Sequence, residues 1–486
     1  MVYVEIGALD ETNSQMGSTR IAIIGAGYSG LSAGYELAKN GQPPVLLEAD
    51  RAAGGLAGCV PFGDTYLEKF YHHWFNHDHD ILELIDELGL QRHLVRGETN
   101  TSTFYDNQVY RLSSPLDVLR FKPLSLLDRT RLGWMVARGR TITDYRQLEG
   151  KTARQWITEM AGRTVYDVVW RPLFEGKFGH YADGVSAVWF WSKLRARGRS
   201  RTKRQREELV YLEGGLQRLT QAMIDAVTSR GGQVRLGCPV QRIRRANGAW
   251  EVVTQAGAES FDQVLVTTPT PIGVRLLEDL PDHYRERSAA IPYLGVTELM
   301  LVLNRRLSET YWLNVNDGRY PFVGVIEHTN FQPPDAYAGR HIVYVTKYRS
   351  ESDEIADLGH RDLFERWRDP LQRMFPAFEE SWVTLALSWQ NAHAQPVVLA
   401  GREGQILPAQ TPLPGVWTCA MAQIYPEDRG TNYAVRLGRR TARAMLETAI
   451  HPVQPPQLVR IPWPAQAARD GAAVTPVAAM QGLSPA

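Results

Sequence analysis

Residues 20–49 read RIAIIGAGYSGLSAGYELAKNGQPPVLLEA, and this stretch decides the fold. A short apolar segment, residues 21–24, leads into three glycines with the spacing G-x-G-x-x-G. In a dinucleotide-binding unit the first glycine permits a tight turn, the second lets the backbone approach a pyrophosphate, and the third lets the next helix pack closely on the strand. The predicted dinucleotide-binding residues of this turn are Gly25, Ala26, Gly27, Tyr28, Ser29 and Gly30.

The next residues complete the same unit in the expected order. Asn40-Gly41 marks the end of the helix, because glycine commonly follows a helix C-terminus. Residues 45–47 then form a second apolar strand with Glu48 at its end. A carboxylate at this place can accept hydrogen bonds from both ribose hydroxyls and disfavours a 2′-phosphate, so the pattern argues against NADP.

A second glycine pair follows within a few residues. The segment E-A-x-R-x-x-G-G, from Glu48 to Gly55, resembles the flavoproteins that include amine oxidases, protoporphyrinogen oxidases, phytoene desaturases and UDP-galactopyranose mutases. In those relatives the second pair lies along the pyrophosphate and ribityl chain of FAD. The resemblance therefore implies FAD as cofactor, and it adds to the cofactor-binding set Glu48, Ala49, Arg51, Gly54, Gly55 and Leu56.

Two later segments resemble the same family. YLEGGLQRLTQAM (211–223) and the strand pair after it match the family's middle FAD segment, in which the Val240 backbone contacts the adenine half. Residues 413–446 resemble the C-terminal FAD segment, with a helix starting near Thr431 and Asn432 whose amides face the flavin. The chain has Ala420-Met421-Ala422 where many relatives carry Gly-Glu or Gly-Arg.

These segments predict an α/β protein with a discontinuous Rossmann-type FAD-binding domain and an interleaved α+β substrate domain. The FAD domain is expected in residues 20–75, 211–275 and 401–450, and the substrate domain, with a mixed or antiparallel sheet, in 76–210 and 276–400. Residues 1–19 are interpreted as a flexible leader and residues 451–486 as a flexible tail.

Composition limits the classes of function. The net charge of +1 over 486 residues argues against a dedicated nucleic-acid binder, and three scattered cysteines suit a reducing compartment. No apolar run reaches the roughly 18 residues that a membrane span needs. The expected location is cytoplasmic, with peripheral membrane contact at most, and the sequence leaves the oligomeric state open.

A histidine-rich segment, YLEKFYHHWFNHDHD (66–80), follows the second glycine pair. Its spacing matches no zinc pattern, so no metal site is predicted. The resemblance places this part of the chain beside the isoalloxazine, which makes His72 and His73 candidate catalytic residues. His77 and His79 fit solvated or helix-capping roles better.

Three further features leave alternatives open. His328 lies in PFVGVIEHTNF (321–331), which is either part of a substrate site with His328 as proton acceptor or a self-capped turn. The basic run 193–206 either binds a phosphate-bearing partner or forms a solvated face, and the basic segment 124–140 suits shallow membrane contact. Lys347 is either a flavin-N5 lysine or an exposed strand residue, and Arg429 is a candidate for contact with phosphate or substrate.

The expected chemistry is oxidation of a small molecule. No second G-x-G-x-x-G follows a strand, so electrons should come from an organic substrate that transfers a hydride to flavin N5. One alternative is a redox-neutral mutase like UDP-galactopyranose mutase, with Arg171 or the basic run holding a diphosphate. Another is a flavin-binding scaffold without turnover. Amine, porphyrinogen-like ring, isoprenoid and glycolipid substrates all remain open.

Overall fold

A computed structural model describes residues 19–112, 114–200, 207–350, 353–402 and 406–450. The predicted tail and all but the last residue of the predicted leader lie outside these ranges, as does the end of the basic run, residues 201–206.

The strands of the described residues are, in chain order, β1 Ile21–Ile24, β2 Val45–Leu47, β3 Cys59–Phe62, β4 Thr65–Glu68, β5 Trp74–Phe75, β6 Leu94–Thr99, β7 Thr101–Tyr105, β8 Gln108–Arg111, β9 Glu207–Leu212, β10 Gln233–Arg235, β11 Val240–Ala246, β12 Ala249–Thr254, β13 Gly257–Phe261, β14 Gln263–Val266, β15 Tyr293–Leu303, β16 Trp312–Val315, β17 Gly324–Glu327, β18 His341–Arg349, β19 Val383–Pro396 and β20 Val416–Thr418. The α-helices are α1 Tyr28–Lys39, α2 His79–Glu87, α3 Pro115–Arg120, α4 Leu126–Thr141, α5 Ala153–Ala161, α6 Arg163–Val165, α7 Arg171–Phe178, α8 Ala187–Arg199, α9 Leu216–Thr228, α10 Thr270–Leu276, α11 Asp282–Ala289, α12 His360–Met374 and α13 Thr431–Ile450.

A five-stranded parallel sheet in the order β10-β2-β1-β14-β20 forms the first layer. Successive residues of β1 point to opposite faces, as the two-residue repeat of a strand requires. Ile21 and Ile23 pack with the helical side formed by α1, α9 and α13, whereas Ala22 and Ile24 pack against the antiparallel sheet β11-β12-β13. Both faces are therefore covered, which explains why this strand is apolar throughout.

A seven-stranded sheet in the order β19-β15-β18-β17-β16-β7-β8 forms the second body. Its pairs are antiparallel except for the parallel pair β16–β7, so the sheet is mixed. Leu299, Leu301 and Leu303 of β15 pack toward α12, and Met300 and Val302 face the opposite side. The α/β architecture with a mixed second sheet confirms the predicted fold class.

A helical insertion, α3 to α8, covers one end of the second sheet. Its core is aromatic and includes Trp156, Phe174 and Trp191. Helix α5 begins with the predicted capping box: Thr152 Oγ1 accepts from Gln155 N at 3.1 Å, and Gln155 Oε1 accepts from Thr152 N at 2.9 Å. This insertion brings basic side chains of α7 and α8 toward the loop before α13.

Candidate functional site

The turn between β1 and α1 is built so that only glycine fits at two of its positions. Gly25 has φ +105°, and a Cβ on Gly30 would lie 2.0 Å from the Gly25 carbonyl oxygen. Gly27 directly precedes the first residue of α1, and no side chain in the described part of the chain caps this helix. The amides of the first helical turn therefore remain unpaired at this end of the helix. The Tyr28 side chain points into the protein, where its hydroxyl donates to Leu216 O at 3.2 Å. This turn therefore presents backbone groups, and not side chains, to a ligand.

The second glycine pair lies against the first turn. Gly54 N donates to Ala26 O at 2.9 Å, and Gly27 and Gly54 form a parallel bridge. A Cβ on Gly55 would lie 3.3 Å from the Gly27 Cα. Leu56 continues from this pair into a single helical turn. The two glycine segments thus form one continuous backbone surface free of side chains, the shape that a pyrophosphate needs.

Glu48 stands beside this surface at the end of β2. Its carboxylate accepts from Ala26 N at 2.7 Å and from Asp50 N at 3.0 Å. A carboxylate has roughly four acceptor positions, so about two remain for ribose hydroxyls. Ala49 and Arg51, by contrast, are exposed.

The strand end at Glu48 also meets the middle segment. Cys238 N donates to Glu48 O at 2.7 Å, and Val240 opens β11 two residues later. Val240 therefore follows directly after the segment that bonds the backbone of Glu48.

Helix α13 begins at Thr431, as predicted, and packs beside the start of α1. A Cβ on Gly438 would lie 2.3 Å from Ser29 O, so the two helices touch closely. The side chains of Thr431 and Asn432 are engaged in packing: Trp74 Nε1 donates to Thr431 Oγ1 at 2.7 Å, and Ile81 N donates to Asn432 Oδ1 at 3.1 Å. Their backbone amides, at the start of the helix, remain available to meet a cofactor. The turn, the glycine pair, Glu48 and the two helix N-termini together fit a dinucleotide.

His72 and His73 are partly exposed and held in defined orientations. His72 Nδ1 lies 2.5 Å from the Phe70 carbonyl oxygen, so Nδ1 carries the proton and Nε2 is an acceptor. His73 Nδ1 lies 3.1 Å from the Tyr71 hydroxyl. Burial lowers the pKa of His72 to about 4. The hydrogen bond to Phe70 opposes this shift, and the nearby charge of Arg429 adds to it. Burial, with nearby Arg197, His72 and Lys193, lowers the pKa of His73 to about 3. Both rings are neutral near pH 7.

His328 is separated from His73 by one ring, because the Tyr71 ring contacts both, at centroid distances of 6.2 and 5.5 Å. Its ring is fully buried among tyrosines, with Nε2 2.6 Å from the Tyr337 hydroxyl, and burial lowers its pKa to about 3. The neighbouring polar groups stabilise a turn, since the Glu327 carboxylate accepts from Leu307 N and Ser308 N at 2.9 and 2.7 Å. These polar groups bond the backbone of other segments, not their own turn, and a pKa of about 3 makes His328 a weak proton acceptor near neutral pH.

Two other candidates lie beside carboxylates. Lys347 is 25% exposed and pairs with Asp353 at 2.7 Å, so its ammonium is engaged in an ion pair. Arg171 is half exposed and lies near Asp167 and Glu175 of its own helical segment at 3.4 and 3.7 Å. The arginine suggested for a diphosphate clamp is therefore engaged along the helix surface.

A cationic cluster is assembled instead from Lys177 on α7, Lys193 on α8 and Arg429 before α13. Lys193 Nζ and Lys177 Nζ lie 2.7 and 3.7 Å from Asp428 Oδ2. Lys177 also lies over the rings of Trp189 and Tyr348, at 4.8 and 5.0 Å from the centroids. Arg429 Nη2 donates to the Tyr348 hydroxyl at 2.8 Å. Three cations thus face one ionised carboxylate, which leaves the cluster with a positive excess.

The charges in this cluster are strongly coupled. Burial alone would raise the pKa of Asp428, but Lys193, Lys177 and Arg429 outweigh it and hold that pKa well below its ordinary range. Burial lowers the pKa of Lys177 to about 8, although Asp428 opposes the shift. Arg429 also lowers the pKa of His72, and Lys193 lowers that of His73, so the cluster lies within electrostatic reach of the two histidines.

Glu298 lies close to the same cluster, on β15. It is 3% exposed, and its Oε1 has no hydrogen-bond partner within the described ranges. It stands opposite Thr346 in the sheet register, and Tyr348, the partner of Arg429, is the next residue on that face of β18. Burial raises the pKa of Glu298 to about 8 against the effect of Thr346 and Arg429. Sequence reasoning missed this residue, although an acid inside the apolar strand LGVTELMLVL is a visible signal.

Comparison with known proteins agrees with this geometry. The sequence profile of the flavin-containing amine oxidoreductases matches residues 28–446, most of the chain. Protoporphyrinogen oxidase from tobacco mitochondria is 25% identical over 51% of this chain and 58% of its own length. A flavin-dependent L-tryptophan oxidase from Lentzea aerocolonigenes is 25% identical over 75% of this chain and 82% of its own. The chain therefore spans little more than half of the tobacco enzyme.

Among solved structures, reduced UDP-galactopyranose mutase superposes with a TM-score of 0.70 at 16% identity, covering 89% of this chain and 98% of the mutase. At that identity the likeness concerns the fold. The profile match over most of the chain, together with the paired glycine segments, Glu48 and the two helix N-termini, shows that the protein belongs to the flavin-containing amine oxidoreductase family and that its cofactor is FAD.

Proposed function

We propose that the protein is an FAD-dependent oxidoreductase that dehydrogenates a small organic molecule bearing a carboxylate or phosphate group. The observation that carries the proposal is the cluster of Lys177, Lys193 and Arg429 around Asp428, just before the N-terminus of α13. Its charges reach His72 and His73, whose pKa values they lower. When bound, FAD supplies the hydride acceptor at N5.

The cations orient the substrate. Asp428 is held by Lys193 at 2.7 Å and by Gln395 Nε2 at 2.9 Å, so it fixes the cluster without neutralising it. Arg429 is anchored through Tyr348, and its Nε has no partner among the described residues. A free guanidinium donor beside an excess of positive charge suits an anionic group, since charge-assisted hydrogen bonds are stronger than neutral ones.

Two kinds of groups are available for the proton that leaves with the hydride. Neutral His72 offers Nε2 as an acceptor, but a pKa of about 4 makes it a weak base. Glu298, with a pKa of about 8, is a much better match to neutral pH. We therefore assign proton acceptance to Glu298 and hydrogen bonding to the substrate to His72 and His73.

The test is an anaerobic titration of the yellow holoprotein, followed by loss of the flavin absorbance. The probes are L-tryptophan and protoporphyrinogen IX, which carry carboxylates, and putrescine, a diamine of opposite charge. We expect bleaching by a carboxylate-bearing probe and none by putrescine. Bleaching by putrescine alone would contradict the anionic substrate, and a colourless protein that takes up no FAD would contradict the oxidoreductase itself.

The mutase alternative differs in its electron requirement. A redox-neutral mutase would convert UDP-galactopyranose only after reduction with dithionite, and no probe would bleach its flavin. That pair of results would replace the proposed oxidation with isomerisation. A scaffold without turnover would respond in neither assay.

We also propose a cytoplasmic location. Cys59, Cys238 and Cys419 are free thiols, as in proteins of reducing compartments.

A further inference from the structure

Helices α3 and α4 expose an unusual amount of apolar surface. Of nine large hydrophobic residues exposed in the described ranges, five lie here. They are Leu116 at 52%, Leu119 at 50%, Leu126 at 71%, Leu127 at 59% and Trp134 at 56% exposed. Single exposed apolar residues are ordinary, but a cluster of this kind marks a surface that binds something.

The exposed apolar residues of α4 form one face. At about 100° per residue, the exposed Leu126, Leu127, Trp134 and Ala137 fall within an arc of about 100°, in which Thr130 is the polar member. Leu132, Met135 and Gly139 lie on the opposite side and are buried in the helical insertion. The outward face is therefore a continuous apolar strip that the fold of this chain leaves uncovered in the part described.

Cations border this strip on both sides. By the same helical geometry Arg131 and Arg138 flank one edge and Arg140 the other, and all three are exposed. Between residues 115 and 141 the chain has six basic and two acidic residues. Both acids serve as helix caps: Asp117 with Ser114, and Asp128 with Ser125. The rim of the surface is cationic.

We infer that this surface, residues 115–141, docks on a membrane leaflet containing anionic phospholipids. Leucine and tryptophan side chains enter the boundary between head groups and acyl chains, and flanking arginines reach the phosphates. None of the helices in the described part of the chain is long and apolar enough to cross a bilayer. Helix α4, 16 residues long, lies in the plane of the interface.

A second copy of this chain fits the surface less well. A two-fold contact would place the same surface on both partners, so the arginine edges of one copy would meet those of the other. Like charges facing one another oppose association, whereas anionic head groups attract the same edges. Charge complementarity therefore selects the lipid.

The docking surface is joined to the substrate cleft through α8. Trp191 Nε1 donates to Gly139 O at 2.8 Å, and Lys193 follows on the same helix. Docking through α4 would hold α8, and with it one wall of the cleft, near the membrane surface.

Flotation of the full-length holoprotein with vesicles tests the inference. We compare phosphatidylcholine alone with phosphatidylcholine mixed with phosphatidylglycerol, at low and high salt. We expect binding to the mixed vesicles that weakens as salt rises. An apolar-face variant, Leu126→Gln/Leu127→Gln/Trp134→Gln, should bind at least about tenfold more weakly. A rim variant, Arg131→Gln/Arg138→Gln/Arg140→Gln, should lose about fivefold for each arginine.

The matched control replaces two exposed leucines elsewhere, Leu236→Gln/Leu385→Gln, and should bind like the wild type. Unchanged FAD content and Tm in each variant show that the fold is intact. Wild-type protein that stays unbound with mixed vesicles, or an apolar-face variant that binds as well as wild type, overturns the inference. A wild-type dimer that this variant converts to a monomer, without vesicle binding, assigns the surface to self-association and also overturns it.

Discussion

The FAD cradle, which is formed by the two glycine segments, Glu48 and the two helix N-termini, recognises its ligand differently from the proposed substrate cleft. The cradle offers mainly backbone: glycines at Gly25, Gly27 and Gly30, a second pair at Gly54-Gly55, and helix amides. The proposed substrate cleft offers charged side chains from separate elements, α7, α8, β15 and the loop before α13. Backbone recognition needs the right residues in a row, whereas charge recognition needs distant residues brought together and desolvated. Four variants test this contrast.

The largest effect is expected for Gly27→Val. A Cβ at Gly27 meets only the Gly55 Cα, at 3.9 Å, so the protein can fold, but the larger side chain fills the space that the pyrophosphate needs. We expect FAD affinity to fall at least about a thousandfold, or about 4 kcal/mol. The amount of FAD released on ultrafiltration measures the effect. Gly133→Ala is the control, because a Cβ added at Gly133 lies within 4 Å of no described atom other than those of its chain neighbours and helix backbone. Normal flavin content in Gly27→Val would show that the backbone at Gly27 does not contact the pyrophosphate of FAD.

Glu298→Gln tests the buried acid of the cleft. Because burial raises the folded-state pKa of Glu298 to about 8, this group stabilises the fold fully at low pH and loses that contribution as the pH rises through about 8. The stability of the variant relative to wild type should therefore increase by on the order of 3 kcal/mol between pH 5 and pH 8.

Thermal unfolding of both proteins across that pH range gives the difference between their free energies of unfolding. The contributions of the other titrating groups are the same in both proteins and cancel in this difference. If Glu298 accepts the substrate proton, flavin reduction in the wild type should also speed up as the pH rises toward 8, and the variant should lose that dependence. Parallel stability curves for the two proteins would mean that Glu298 titrates normally.

Arg429→Met tests the cationic cluster. Loss of a charge-assisted hydrogen bond to an anionic group should cost about 2 kcal/mol, or roughly thirtyfold in substrate binding. The rate of anaerobic flavin reduction as a function of substrate concentration measures this. Arg171→Met is the control, because its guanidinium lies along the helix surface near Asp167 and Glu175. If the two variants had equal effects, Arg429 would have no specific role in binding the substrate.

The smallest effect is expected for Asn432→Ala. The Asn432 side chain accepts from Ile81 N at the start of α2, so its loss should destabilise the fold by about 1 kcal/mol. FAD content should be unchanged, because the Asn432 side chain is held against α2 and the cofactor is expected to meet the backbone of this residue. Loss of flavin with unaltered Tm would instead give the side chain a direct role in binding.

Much of the fold followed from local patterns. The strand, glycine turn, helix and second strand of residues 21–47 appear where their periodicity placed them, and the capping box at Thr152 and the start of α13 are also as predicted. These features depend on residues within a few positions of one another. His328, Arg171 and Lys347 were harder to place, because the residue types are the same in a cleft, a buried cluster or a surface ion pair. The predicted domain boundaries and site residues stay predictions.

The sequence by itself determined the family, the cofactor and the backbone cradle, because glycine spacing and a strand-end acid specify a conformation locally. Only the tertiary structure decided which charges come together: Lys177, Lys193, Glu298 and Arg429 lie on separate elements. Their protonation and partners depend on burial and on distances of a few ångströms, and neither exists until the chain has folded.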